Sequence, residues 1–271
     1  MKNKLSIIKT KLRNSPYYPL LNFLFRPFKF LIVNPILNNV KSHLDSIEIN
    51  NKKRYDDILD ILFRISPIAS PYEVLIKTDH PVAIDSIDHI KPIDETTGVK
   101  SGTIEANTLC TRFVKACEKL KGGGKIIKCL DLGCAGGGLV RNFLERSHFA
   151  IGIEGSDISF KTQRAEWSRI PNNLFTADIG QPFRVCNKND SSLFCFDIIT
   201  AWEVLEHIPE ENINTLLKNV ILHLNPDGIF IASVSTRILP HHVCVHDYSW
   251  WEEMLSNNDL KVIDHSNLFL E

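Results

Sequence analysis

Three groups of residues in this chain have the types and spacing for chemistry. The first is the run Cys129-Leu-Asp-Leu-Gly-Cys-Ala-Gly-Gly-Gly138, in which Asp131 opens a glycine-rich turn. Glycines at 133, 136, 137 and 138 remove the side chains that would hold a ligand off the backbone, and they tolerate positive φ. Asp131 can accept hydrogen bonds from a cationic or hydroxyl-bearing ligand, whereas a pyrophosphate would be repelled. The second group is Glu154 and Asp178, which end the apolar runs Phe149-Ala-Ile-Gly-Ile-Glu154 and Asn173-Leu-Phe-Thr-Ala-Asp178. Glu154 lies about 20 residues past the turn, the separation at which a carboxylate reaches the ribose hydroxyls of a nucleotide. The third group is Trp202-Glu203-Val-Leu-Glu206-His207. If this run turns helically, Glu203, Glu206 and His207 share one face. Two carboxylates and an imidazole make a half-site for Mg²⁺ or Mn²⁺. Alternatively His207, oriented by Glu203, is a general base for a hydroxyl, or the run only braces its own turn.

These residues need a scaffold, and the hydrophobic pattern supplies one. Lys125-Ile-Ile-Lys128 leads a short apolar strand into the glycine turn. Leu139, Val140, Phe143 and Leu144 then follow at helical spacing. Strand, turn and helix form a nucleotide-binding corner whose N–H groups can hold a polar ligand. A dinucleotide G-x-G-x-x-G turn fits poorly, because Ala135 follows Gly133 where the second glycine belongs. Further strands are expected at Phe194–Thr200, at Leu224–Val234 behind a turn, and at Leu260–Asp264. Helices are expected at 105–120, with Leu109, Phe113, Ala116, Cys117 and Leu120 on one side, along Ile213, Leu216, Leu217, Val220, Ile221 and Leu224, and around Trp250, Trp251 and Leu255. Alternating strands and helices predict an α/β fold with a mostly parallel, doubly wound sheet. Ligands of such sheets sit off the C-terminal ends of the strands, which places Trp202 to His207 at the cleft.

The order D-x-G-x-A-x-G from Asp131 to Gly137, the acid-ended strands and the entry Leu224-Asn-Pro-Asp-Gly228 resemble the S-adenosylmethionine-dependent methyltransferases with a Rossmann-like fold. The resemblance covers 126–234. Ala135 stands where the family usually has glycine, and Asp227 replaces the first glycine of the strand entry. The resemblance implies S-adenosyl-L-methionine as cofactor, held by Asp131, Gly133, Ala135, Gly137, Glu154, Asp178 and Trp202, with Asp178 beside the adenine amino group. It also implies O-methylation of a small molecule or glycan, with Glu203 and His207 as the catalytic residues. The E-x-x-E-H run is similar to that of the ubiquinone-biosynthesis O-methyltransferases and of the small-RNA 2′-O-methyltransferases. The latter hold a metal with this motif and a later histidine, and His246-Asp-Tyr-Ser-Trp250 is similar to the run that supplies it. A metal set of Glu203, Glu206, His207 and His246 is the alternative that follows. Many small-molecule members carry the motif without metal, so metal-independent activity is expected, and His241 and His242 are read as polar loop residues. The stretch Gly155 to Pro171, with Ala177 to Phe183, looks like a bacterial subgroup associated with surface-polysaccharide modification. A small-RNA methyltransferase, a nicotinamide oxidoreductase and a non-catalytic partner protein that keeps the fold are the competing readings. The family adds a seventh, antiparallel strand, so the C-terminus reads as short.

Composition sets the remaining bounds. With 44% hydrophobic and 23% charged residues the 271-residue chain has ample material for a core. A net charge of −1 argues against a general nucleic-acid binder. Residues 1–44 are nevertheless basic, with Lys2, Lys4, Lys9, Lys11, Arg13, Arg26, Lys29 and Lys41 and no acid. They read as a helical arm packed on its own domain, or as a peripheral membrane or partner-docking segment. The apolar cluster from Leu20 to Val33 is too short and too charged to span a bilayer. Residues 1–105 are expected to form an extension over the cleft. It comprises the basic arm, an amphipathic helix through Tyr55, Ile58, Leu59 and Leu62, and a polar, Pro-interrupted stretch 66–104 with short strands, a lid or substrate wall. Residues 106–271 form the catalytic domain. Seven cysteines without a C-x-x-C pair indicate a reducing compartment, hence a cytoplasmic protein.

Overall fold

The computed structural model describes residues 72–84, 106–239 and 241–263. The basic arm 1–44, the helix through Tyr55 to Leu62, residues 85–105 of the extension and the last residue of the expected strand at Leu260–Asp264 lie outside them. In chain order the elements are β1 (Val74–Thr78), α1 (Thr111–Leu120), β2 (Lys128–Leu132), α2 (Gly138–Glu145), β3 (Phe149–Glu154), α3 (Ile158–Thr162), β4 (Leu174–Thr176), β5 (Phe183–Asn187), β6 (Phe196–Trp202), α4 (Glu210–His223), β7 (Leu224–Ser233) and α5 (Tyr248–Asn257). Short 3₁₀ turns at Ala165–Ser168, Pro171–Asn173 and Leu205–His207 complete the set.

Five strands form one parallel sheet in the order β4-β3-β2-β6-β7. The chain runs outward from β2 through β3 to β4, then returns to the other side of β2 with β6 and β7. The order therefore reverses between β2 and β6, and a crevice opens there beyond the strand ends. Side chains alternate across the sheet. Leu130, Ile151 and Ile199 enter one core, with α4 residues Ile213, Leu216, Leu217 and Val220. Cys129, Ala150 and Ile198 enter the other, with Phe113 and Cys117 of α1 and Leu139, Val140 and Phe143 of α2. Every residue of β3 is buried, as expected of a strand covered on both faces.

The remaining two strands, β1 and β5, form a separate antiparallel pair with Val74 opposite Asn187 and Thr78 opposite Phe183. Tyr72 packs edge-on against Phe149 and Phe194, with centroids 5.1 and 5.3 Å apart. This part of the expected 1–105 extension is thus built onto the catalytic sheet. His223, at the end of α4, ties the pair to the core. Its Nδ1–H donates to Asn219 O at 2.7 Å, and Nε2 accepts from Val185 N at 2.9 Å. Both bonds require the neutral ring, and burial pushes its pKa down.

Three expectations need correction. The first helix starts at Thr111, so Leu109 precedes it and is exposed. Leu224 opens β7 instead of continuing the helix. Leu260–Ile263 has no regular structure, and β7 is the edge of the five-stranded sheet among the described residues. None of the helices among those residues is long and apolar enough to cross a membrane.

Candidate active site

The glycine turn links β2 to α2. Gly133 and Gly137 have φ of +70° and +85°, the left-handed region that L side chains avoid. Gly136 and Gly138 have another role. A Cβ on either would meet the segment Ala106 to Thr108, and Gly136 N donates to Ala106 O. All four glycines thus make room for the protein's own chain, since a Cβ on Gly133 would meet Val204 and one on Gly137 would meet Leu174. Ala135 also has positive φ, +46°. Its N–H donates to Glu154 Oε2 at 2.7 Å, and its carbonyl accepts from the Trp167 indole N–H at 2.8 Å. Those two bonds hold the strained residue in place.

Glu154 is buried, and Ser156 N donates to its other oxygen at 3.2 Å. Burial raises its pKa, and the backbone N–H groups oppose that rise. Each oxygen therefore already takes one bond from the corner, although a carboxylate has about four acceptor positions. Asp178 is half-buried at the end of β4. Its Oδ1 accepts from Gly180 N, and its own N–H donates to His80 O. Ala83 N donates to Gly155 O, so the segment after β1 runs beside the ends of β3 and β4.

A cavity of about 690 Å³ opens at the switch between β2 and β6. Asp131, Gly133, Cys134 and Ala135 line one side, Trp202, Glu203 and Ser233 another, and α1 residues including Arg112, Phe113 and Lys115 a third. Asp131 accepts from the Thr200 hydroxyl at 2.6 Å. Burial lifts its pKa to about 7, against the lowering by that bond. Trp202 stands edge-on to Phe113, 5.1 Å between centroids. The cavity offers a buried carboxyl, glycine-turn backbone and aromatic walls. It suits a ligand with a flat apolar body and a cationic end. Glu154, Asp178 and Gly137 do not line it.

The Glu203–His207 run departs from the helical expectation. Glu203 has φ +52° and lies outside the 3₁₀ turn Leu205–His207, so helical spacing does not apply and the three residues do not share a face. Glu203 Oε1 accepts from the Ser233 hydroxyl at 2.8 Å, and its N–H reaches Ser233 O. Glu206 is fully buried, and its Oε1 accepts from Ser235 N at 3.0 Å. His207 does not line the cavity. Its Nδ1–H donates to His241 O at 3.1 Å, and burial pushes its pKa down. His246 pairs with Glu210 at 2.8 Å and stacks on Trp250. The alternative metal set of Glu203, Glu206, His207 and His246 is not brought together. Among the described residues the groups able to share an ion are His207, His241 and His242, and Glu210, Cys244 and His246.

Sequence reasoning missed the support behind the turn. Arg141 and Glu166 form a buried pair at 3.2 Å, and Asn107 and Arg169 add bonds to Glu166. The one signal was a Glu-Trp pair, Glu166 and Trp167, in an otherwise polar stretch.

Known proteins are similar to this chain in sequence. The ubiquinone biosynthesis O-methyltransferase of Rickettsia conorii (strain ATCC VR-613 / Malish 7) is 29% identical over 123 residues, 44% of this chain and 39% of its own length. Its namesake from Rickettsia typhi (strain ATCC VR-144 / Wilmington) is 31% identical over 114 residues, 41% of this chain and 42% of its own. The chain thus spans about two fifths of the length of these curated relatives. Among solved structures, a TehB-like methyltransferase from Corynebacterium glutamicum is 16% identical with a TM-score of 0.42, covering 59% of this chain and 84% of its own. The family model of the methyltransferase domain matches residues 104–269. With that match over more than half of the chain, on a sheet whose switch point carries the acid and glycine turn, the protein belongs to the methyltransferase domain family.

Proposed function

We propose that the protein O-methylates a small, largely apolar molecule bearing a hydroxyl group. The observation that carries this reading is the single cavity in which Asp131 and the glycine turn face Trp202 and Glu203. S-adenosylmethionine fits the first side. The buried Asp131 carboxyl can take a cationic group, Gly133 and Ala135 present backbone, and the volume is that of an ordinary small-molecule site. The bound cofactor supplies an activated methyl group on a sulfonium. Glu154 contributes by fixing Ala135, with spare acceptor positions for ribose hydroxyls, and Asp178 stands at the neighbouring strand end.

The chain's own work is alignment, water exclusion and proton removal. Trp202 and Phe113 give the acceptor an apolar wall. Glu203, held by Ser233, would accept the hydroxyl proton as the methyl group passes to that oxygen and the sulfonium leaves as a neutral thioether. His207 serves as a positioning residue, because its ring is turned toward His241. Methyl transfer on this scheme needs no metal. Residues 72–84 run past Gly155 and Asp178 through Ala83 and His80, which supports an extension beside the cofactor end. The O-methyltransferase name of the rickettsial relatives supports the reaction class.

The test is label transfer from methyl-tritiated S-adenosylmethionine into lysate fractions. Label in the organic-soluble small-molecule fraction is expected. Label confined to polysaccharide or to RNA would overturn the acceptor class.

A further inference from the structure

The rim beyond the cavity holds a cluster of which the methyl-transfer scheme uses only His207, as a positioning residue. His207 lies in the turn after β6, and His241 and His242 lie in the loop after β7. One ring nitrogen of each is within 4.8 Å of one on both others. The edge of a tetrahedral site with Zn–N bonds of about 2.0–2.1 Å is about 3.4 Å, so the three nitrogens need to draw together by at most about 1.4 Å to share an ion. We propose that His207, His241 and His242 bind one divalent transition-metal ion of the zinc class, above the buried carboxylate of Glu206.

Two observations beyond proximity support this site. The first is tautomer control. His207 Nδ1–H donates to His241 O at 3.1 Å, and His242 Nδ1–H donates to Arg237 O at 2.7 Å. A carbonyl can only accept, so each ring carries a proton on Nδ1, and in the neutral form the lone pair is on Nε2. Metal-binding histidines are prepared in the same way, by a backbone carbonyl on the other nitrogen. The second is Glu206. It is fully buried, Oε1 takes the Ser235 N–H, and Oε2 has no hydrogen-bond partner. Glu206 interacts electrostatically with both His241 and His242. A buried carboxylate oxygen without a partner is costly. A cation held by the imidazoles beside it offsets that cost.

The ligand type follows from the donors. Imidazole nitrogens suit Zn²⁺, Co²⁺, Ni²⁺ or Cu²⁺, whereas Mg²⁺ and Ca²⁺ require oxygens. The set differs from Glu203, Glu206, His207 and His246, since Glu203 is engaged by Ser233 and His246 by Glu210. It links the turn after β6 to the loop after β7, and so fixes the acceptor side of the cleft without touching the reacting atoms.

The experiment uses the full chain, stripped with chelator and titrated with Co²⁺ and then Zn²⁺. One equivalent of Co²⁺ should give visible bands of a four- or five-coordinate nitrogen site without a thiolate charge-transfer band, and Zn²⁺ should displace it. His242→Ala and His241→Ala should each weaken Zn²⁺ binding by at least about 100-fold, with circular dichroism unchanged because both residues sit in a loop. His246→Ala and Cys244→Ser should bind as the parent does. The proposal fails if no saturable binding occurs up to millimolar metal. It fails equally if both histidine variants keep parent affinity, or if a thiolate band disappears in Cys244→Ser, which would move the ion to Glu210, Cys244 and His246.

Discussion

The glycine corner and the β6–β7 rim contain the same kinds of group and treat them in opposite ways. Each has a buried carboxylate beside a non-glycine residue at positive φ: Glu154 with Ala135 at +46°, and Glu206 near Glu203 at +52°. At the corner Glu154, Ala135 and Arg141 each have partners within the chain. Glu154 takes two backbone N–H groups, Trp167 takes the Ala135 carbonyl, and Glu166 neutralises Arg141. At the rim Glu206 keeps one oxygen without a partner, and three imidazoles crowd together. A completed network holds a shape before the ligand arrives. An incomplete one marks where a further group belongs.

Breaking the corner should have the largest effect. Glu166→Ala removes one acid partner of the buried Arg141 and leaves its 2.7 Å pair with Glu145 in place, and breaking a buried pair costs up to about 3–5 kcal/mol. Denaturant unfolding should show this loss, and Glu166→Gln should recover part of it. At the cleft wall, Glu203→Gln should lower turnover about 100-fold, within the usual contribution of a general base. Cofactor affinity and melting temperature should stay unchanged. A proportional loss of affinity would move Glu203 to the cofactor side. Gly137→Ala should cost about 1–2 kcal/mol for the left-handed backbone alone, read in the same unfolding assay, and its contact with Leu174 adds to that.

The smallest expected effect is on pH. Asp131 has its pKa raised from 3.8 to about 7. The folded protein therefore holds this proton more tightly than the unfolded chain. The resulting stability is full below about 3.8 and disappears as pH rises through about 7. A cationic ligand prefers the ionised form, so its binding releases the proton. Cofactor affinity should be roughly tenfold weaker at pH 6 than at pH 8, measured by calorimetry in buffers of different ionisation enthalpy. A flat profile would remove Asp131 from the cation's contacts.

What could be read in the sequence was local. The strands ending in Asp131 and Glu154 and the helix through Leu139 to Leu144 are contiguous patterns, and the sheet follows from their alternation. What could not be read joins distant segments. Arg141 to Glu166, Trp167 to Ala135 and His223 to Val185 are separated by 25, 32 and 38 residues, and no periodicity encodes such pairs. The E-x-x-E-H face failed for a different reason. Positive φ at Glu203 removes it from the turn, so i, i+3, i+4 spacing placed it where it is not. His241 and His242, read as polar loop residues, gain a role only because the loop after β7 returns to the turn after β6, where Val243 and Cys244 N–H groups donate to Glu206 O.

The central claim is that the Asp131 corner holds S-adenosylmethionine. Isothermal titration of the full chain and of Asp131→Asn with S-adenosylmethionine and with NAD tests it most directly. The expected result is one site for S-adenosylmethionine, weakened at least about tenfold by loss of a charge-assisted contact, and no NAD binding. Equal S-adenosylmethionine affinity in both proteins, or NAD binding in place of it, would contradict the claim.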